Sequence, residues 1–353
     1  MTKEQLIQHL VDRPSYLKWG NIGLSRRYKL DINTIKECKA KARRILNDAE
    51  ASLIKNITTA HEAFGIKPKK KKKKKYKKLK KGAVTEYIDT EAEVSIPKSV
   101  KKNFTTPGLH IILGCVHAPF HNETLLKGIM KLGKDLGDNA VGLHLIGDFL
   151  DLNALSAHDK GRFAAIPGLT LDAEYHLGNK LLNKLDKAYK SVTDKSYLYG
   201  NHEHRYFRYM ADMENAKRPL ISPTQALSLE RRGYAVHEAW DKDYVTLGNN
   251  LDLMHGIYFN VHCAKKHTDV FRTSVVFAHT HRVQTYIEGN VGGYNIGSCA
   301  DFNSKAFGYA TRAMKSQWRN AFAIAQIDNK GRHFVTTIVA DEDGHFWYNN
   351  KKY

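Results

Sequence analysis

Five short segments of this 353-residue chain hold side chains that bind divalent cations: Cys115-Val116-His117, Asp148-Phe149-Leu150-Asp151, Asn201-His202-Glu203, His255, and His279-Thr280-His281. Each follows an apolar run of strand character, and four begin within one residue of a glycine. A single buried histidine is usually a hydrogen-bonded core residue. Five such segments, all at strand ends, are hard to ascribe to core packing. Two divalent cations roughly 3.5–4 Å apart can hold a bridging hydroxide and both non-bridging oxygens of a phosphate. That centre needs one carboxylate that reaches both cations, neutral nitrogen ligands and an open side. Asp148 suits the bridge. His117, His255, His279 and His281 supply imidazoles, and the Asn201 amide oxygen completes the set. Histidines two apart on an extended chain point different ways, so the 279–281 loop can serve both cations.

Such ligands need rigid elements behind them. From about residue 108 the chain reads as buried strands: Leu109–Leu113, Val141–Ile146, Ser196–Tyr199, Asn250–Met254 and Ser274–Phe277. Helical stretches near 123–137 and 171–190 separate the first three, which suggests β-α-β units. Val283–Glu288, Tyr294–Gly297, Ala321–Ile327 and His333–Val339 read as strands without long helices between them. An α/β sandwich of mixed sheets follows. Functional groups in such folds collect at the carboxyl ends of strands.

The ordered motifs resemble the calcineurin-like metallophosphoesterase family, whose pattern is DxH, GDxxD, GNH(E/D), a later H and GHxH. Gly147-Asp148-Phe149-Leu150-Asp151, Gly200-Asn201-His202-Glu203 and His255-Gly256 are intact, and Ala278-His279-Thr280-His281 has Ala for Gly. The resemblance covers residues 108 to about 340. It implies an α/β/β/α sandwich and a hydrolase acting on phosphoesters with two divalent metal ions (Mn, Zn or Fe). It also implies roles. Asp148 would bridge the metals. Asn201, His255 and His279 would hold one, and Cys115, His117 and His281 the other. His202 resembles the general acid that protonates the leaving oxygen, and Asp151 the carboxylate that orients it. Arg205 is a candidate phosphate contact.

Cys115 departs from the family's Asp. A thiolate keeps the negative charge but is softer, favouring Zn or Fe at its site. Lariat-debranching enzymes of the family resemble this chain there. The wording around Cys115-Val116-His117-Ala118-Pro119 is similar to bacteriophage members.

The basicity is concentrated elsewhere. Residues 1–106 hold 27 Lys+Arg against 11 Asp+Glu, whereas the remainder holds 29 against 25. Residues 1–66 read as a small helical domain resembling a helix-turn-helix, with Asn33 as an expected helix cap and a second helix carrying Lys36, Lys39, Arg43 and Arg44. An unbroken run from Lys69 to Lys75 opens a linker, 67–107, too charged to pack. Such a block suits a nucleic-acid partner. The catalytic domain is expected over 108–353.

Four scattered cysteines without a CxxC pair fit a reducing cytoplasm, that of a host cell if phage-encoded. No apolar run approaches the roughly 18 residues of a membrane span, so no membrane partner is expected. Oligomeric state is not encoded legibly. The reading is a phosphodiesterase or nuclease acting on nucleic acid. A phosphomonoesterase for protein or nucleotide is the alternative, and a DNA-binding regulatory or assembly protein with a weakly active fold is another.

Overall fold

The computed structural model describes residues 2–12, 31–42, 44, 102–156, 169–212 and 220–353. The chain divides into two units, Met1–Ile88 and Asp89–Tyr353. In the first unit, helix α1 (Lys3–Asp12) and helical residues 32–42 (α2) are described. Lys3 pairs with Glu37 at 3.1 Å. The cap of α2 is Asp31 rather than Asn33. Its carboxylate accepts the Thr34 amide at 2.9 Å, satisfying an amide of the first turn. The turn that a helix-turn-helix requires lies outside the described residues, as do Arg43 and the whole lysine run.

The second unit is a four-layer α/β/β/α sandwich. One six-stranded sheet runs in the order β12 (His333–Val339), β11 (Ala321–Ile327), β2 (Gly108–Leu113), β3 (Ala140–Ile146), β4 (Asp194–Leu198), β5 (Ala235–His237). The other runs β1 (Lys102–Phe104), β6 (Val245–Leu247), β7 (Leu251–Leu253), β8 (Ser274–Phe277), β10 (Val291–Ile296), β9 (Val283–Glu288). Strands β2 to β5 pair in parallel. Their near-continuous apolar runs reflect burial on both faces.

Ile112, Ile146, Leu198 and Ala323 of the first sheet meet Val245, Leu253, Val276 and Ile296 of the second between the layers. The outer face of the first sheet is covered by α3 (Glu123–Leu136) and α4 (Leu171–Ala188). Asn122 caps α3 by accepting the Leu125 amide, and Leu125, Ile129 and Leu132 recur at helical spacing on its buried side. Helix α6 (Cys263–Phe271) covers the second sheet. Helix α5 (His204–Met210) follows β4.

Two sequence expectations change here. Lys102–Phe104 falls within the expected linker yet pairs in parallel with Val245–Leu247, burying Phe104. Strands of three residues, such as β1 and β5, are too short to show a period. Helix α6 went unread for a similar reason: it is half the length of α4, and its buried face is the mixed set Cys263, Ala264, His267 and Thr268.

The inter-sheet layer also holds a polar relay. His110 Nδ1 lies 3.0 Å from His144 Nε2, His144 Nδ1 lies 2.8 Å from the Ser196 hydroxyl, and His110 Nε2 donates to the Thr106 carbonyl at 2.9 Å. Burial pushes both imidazoles below their ordinary range; Lys102 adds to the effect at His144, while Asp194 partly opposes it at His110. Folding therefore excludes a proton that an unfolded histidine takes up below about pH 6.5. Stability from this pair is complete above that pH and falls as the pH drops below it. The limiting loss is about 1.4 kcal/mol per pH unit for each histidine kept neutral. Urea midpoints at neutral pH and near pH 5 should show a smaller acid loss in His144→Gln than in the parent. An equal loss would remove the relay as its source.

Candidate metal centre

The donor side chains stand on loops at the carboxyl ends of β2, β3, β4, β7 and β8. Two loops are stitched together by backbone bonds. Cys115 N donates to Gly147 O at 3.0 Å, His117 N to Asp148 O at 2.8 Å, Ala118 N to Phe149 O at 2.7 Å, and Asp151 N to Ala118 O at 3.0 Å. Glu203 adds a third loop. Its buried carboxylate accepts the amides of Asp148, Leu150 and Gly200 and the Tyr197 hydroxyl, each at 2.9 Å. Burial, then the charge of Asp148, pushes its carboxyl up, while the backbone donors pull it back down.

The glycines beside the motifs have a steric reason. A Cβ on Gly147 would collide with the His255 ring, and one on Gly200 with Asp148. Ala278, standing where the resemblance expects glycine, is accommodated from the other side. Its methyl packs over Gly114, where an added Cβ would approach it to 2.5 Å.

The donors converge as two groups on one carboxylate. His255 Nε2 lies 3.0 Å from Asn201 Oδ1, 3.2 Å from His279 Nδ1 and 3.2 Å from Asp148 Oδ2. His117 Nε2 lies 3.2 Å from His281 Nε2 and 3.8 Å from the same Asp148 oxygen. Thus His279 and His281, two residues apart, join different groups. The Cys115 sulfur falls within 4.8 Å of the ligand atoms of His117 and His281, and equally of Asp148 and His255. It stands between the groups rather than within one, and accepts the His279 amide at 3.1 Å.

These atoms draw positive charge. His255 Nδ1 donates to the Ile146 carbonyl at 3.0 Å, which turns Nε2 toward an amide oxygen and a carboxylate; Asp148 outweighs burial and raises this imidazole, so a proton and a metal cation compete for that nitrogen. His117 Nδ1 donates to Asp151 Oδ2 at 3.0 Å, which leaves Nε2 bare. Burial lowers His117 and His281 and, with His255 beside it, takes His279 down to about 3. These are neutral imidazoles of the kind metals take. Burial, and then the charge of Asp148, push the Cys115 thiol well up, so a thiolate there requires a positive partner. Burial also opposes charge on Asp148, yet His255, His202 and His117 hold its carboxyl well below the usual range. The residues therefore fit divalent cations.

Five of the expected ligands adopt left-handed backbone: Cys115 (φ 49°), His117 (52°), Asp148 (52°), His279 (62°) and His281 (58°). They are half of the non-glycine residues with positive φ among the described residues. Each such conformation costs about 1–2 kcal/mol. Strain concentrated on donor residues marks a site whose geometry the surrounding fold imposes.

His202 stands at the edge of the cluster. Its Nδ1 donates to the Asp151 carbonyl at 2.8 Å and lies 3.3 Å from Asp151 Oδ2, while Nε2 lies 4.0 Å from Asp148. Burial disfavours its charge, but Asp148 and, to a lesser degree, Asp151 outweigh this and raise it above the ordinary histidine range. Asp151 thus serves two histidines, His117 at the shorter distance. Arg205 donates to the Asp151 carbonyl at 2.9 Å and brings Nη2 to 3.4 Å from His202 Nε2. It is anchored inside the cleft, not paired on the surface. Among the N-terminal cations, Lys36 and Arg44 are exposed, whereas Lys39 is only 8% exposed and so is poorly placed for a phosphate, and Arg43 lies outside the described residues.

Sequence reading missed Glu203 as an organiser, though it stood in the motif. It also missed the aromatic wall, which had no local signal. Trp240 packs 6.2 Å from the His255 ring and 6.1 Å from His279. Phe307 lies 5.3 Å from His117, and Trp318 4.7 Å from His281. Tyr309 is half-exposed; crowding around its hydroxyl and the charges of Asp151 and Asp148 push its phenol up.

No family model matches the chain, and no curated protein does. Solved structures similar to it include vacuolar protein sorting 29 from Cryptosporidium parvum, 13% identical over 70% of this chain and 95% of that one, with a TM-score of 0.35. A point mutant of a cold-active protein tyrosine phosphatase is 13% identical over 73% of this chain and 85% of its own, TM-score 0.36. A predicted phosphoesterase from Streptococcus pneumoniae is 12% identical over 71% and 99%, TM-score 0.31. Each is a likeness of backbone course below the level that identifies a relative.

Glu203→Gln would set an amide NH₂ against backbone N–H donors. A loss of about 3 kcal/mol is expected, read from chemical denaturation. Stability within about 0.5 kcal/mol of the parent would remove Glu203 as the tie between loops.

Proposed function

We propose that this chain is a metal-dependent phosphoesterase that hydrolyses phosphodiesters of nucleic acid. The observation that carries the reading is the convergence of two donor groups on one Asp148 oxygen, with His202 beside them. Asp148 would be shared between two cations. Asn201, His255 and His279 would hold one, His117 and His281 the other, and Cys115 stands close enough to serve either. When bound, such cations supply Lewis acidity, neutralising phosphate oxygens and lowering the pKa of water.

The protein's own groups do the rest. Asp151 fixes the His202 ring through its carbonyl and carboxylate, so Nδ1 is committed and Nε2 is the nitrogen turned toward the donor groups, 4.0 Å from Asp148. A proton on Nε2 goes to the departing oxygen. Arg205 holds the Asp151 loop in place and can turn Nη2 toward a phosphate oxygen. Phe307, Trp318 and Trp240 back the imidazoles and exclude water from behind them. The excess of 27 basic over 11 acidic residues in the first 106 supports a polyanionic substrate, with exposed Lys36 and Arg44 among the phosphate contacts.

The deciding experiment measures bound metal and then hydrolysis of an aryl phosphomonoester, an aryl phosphodiester, DNA and RNA. Diester and nucleic-acid cleavage that disappears in Asp148→Asn is the expected result; cleavage of the monoester alone would replace this reading by a phosphomonoesterase. Protonation of the leaving group matters most when that group is a poor one. His202→Ala should therefore lose about 10²–10⁴ in kcat on DNA or RNA and far less on para-nitrophenyl esters. Equal losses on both would take the proton-donor role away from His202.

The soft thiol gives a separate check. The parent should bind and be activated by zinc or ferrous iron in preference to magnesium. Cys115→Asp should move that preference toward manganese and magnesium, read by metal analysis and by activity after metal exchange. An unmoved preference would show that the sulfur is no ligand.

A further inference from the structure

Phe259 and Val261 stand on the loop between β7 and α6, exposed at 75% and 67%. The loop is held firmly. Arg282 Nη2 donates to the carbonyls of Phe259 at 2.7 Å and Asn260 at 2.9 Å, and Gln284 Nε2 to that of Val261 at 2.6 Å. Two more exposed apolar residues, Tyr309 at 52% and Met314 at 42%, stand on the segment after β10. That segment is also pinned. Lys315 Nζ donates to Phe302 O at 2.7 Å, and the Arg319 amide to His281 O at 2.8 Å. Phe259, Tyr309 and Met314 line a cleft of about 330 Å³ that also takes in His279, Thr280 and His281.

Scattered exposed apolar side chains are ordinary. Phe259, Tyr309 and Met314 lining one cleft, on segments pinned by side-chain and backbone hydrogen bonds, are a built surface. Its occupant must have an apolar face and carry the phosphate that reaches the donor cluster. The segment from Asp301 to Arg319 holds Lys305, Arg312, Lys315 and Arg319 against the single acid Asp301. That balance suits further phosphates on either side of the occupant. A flat π-face stacked on an aromatic side chain, with phosphates beside it, describes one nucleotide of a strand.

We propose that this cleft receives the nucleobase next to the scissile phosphate, with Phe259 as its stacking platform. The proposal deepens, and rests on, the phosphodiesterase reading above. A phosphotyrosine ring of a peptide is the competing occupant and is decided by the same experiment.

The full chain, loaded with zinc, is assayed on the para-nitrophenyl ester of thymidine monophosphate, on methyl para-nitrophenyl phosphate and on a phosphotyrosine peptide. Binding of thymidine monophosphate is measured separately by calorimetry. The parent should favour the thymidine ester over the methyl ester. In Phe259→Ala the ratio of the two kcat/KM values should fall about tenfold, thymidine monophosphate should bind about tenfold more weakly, and Phe259→Trp should restore both. An unchanged ratio together with unchanged nucleotide binding overturns the proposal, as does a Phe259-dependent loss confined to the peptide. If neither diester is cleaved while nucleotide binding still depends on Phe259, the phosphodiesterase reading falls and the base site stands.

Discussion

Nitrogen and oxygen donors from five loops are aimed at one small volume, and the rest of the second unit is arranged to hold them there. His255 turns Nε2 to the oxygens of Asn201 and Asp148, whose carboxylate raises the pKa of that imidazole, and His117 turns Nε2 toward that of His281. Positive charge between them, a proton on His255 or a cation, favours these contacts but does not place the loops. The fold must hold them there by other means, and it does so with backbone. Loops after β2 and β3 pair like short strands, and one buried carboxylate, Glu203, gathers three amides that would otherwise lack partners. The left-handed backbone at five donor residues is the strain that this framework absorbs.

The same constraint explains the small residues beside the donors. Gly147 and Gly200 are glycines because imidazole and carboxylate pass over them. Gly114 and Ala278 meet across the layer, so bulk absent at one is tolerated at the other. Aromatic rings then fill the second rank. Trp240 serves one donor group, Phe307 and Trp318 the other, and each keeps imidazoles from being solvated from behind. Low polarity there keeps His117, His279 and His281 neutral and available.

Asp151 and Cys115 show where a one-residue, one-role description fails. Asp151 meets His117 at 3.0 Å and His202 at 3.3 Å, so one carboxylate orients both imidazoles. Changing it would disturb both at once, and the two effects would not add. Cys115 lies within reach of both donor groups. A soft ligand in that position would affect the whole centre rather than one half of it.

The sequence by itself determined the long elements and the chemical types at the site. Strands β2, β3 and β11 and helices α3 and α4 are long enough for periodicity to speak. Metal donors at strand ends are legible because chemistry restricts them to a few residue types. Tertiary structure alone decided the rest. Three-residue strands such as β1 carry no period, and the cap of α2 moved to Asp31 because it depends on where the helix starts. Grouping of the donors, the second partner of Asp151, the burial of Lys39 and the cleft beside Phe259 all depend on residues far apart in the chain. Sequence lists donors one after another, whereas shared oxygens, facing lone pairs and aromatic backing exist only once distant loops meet.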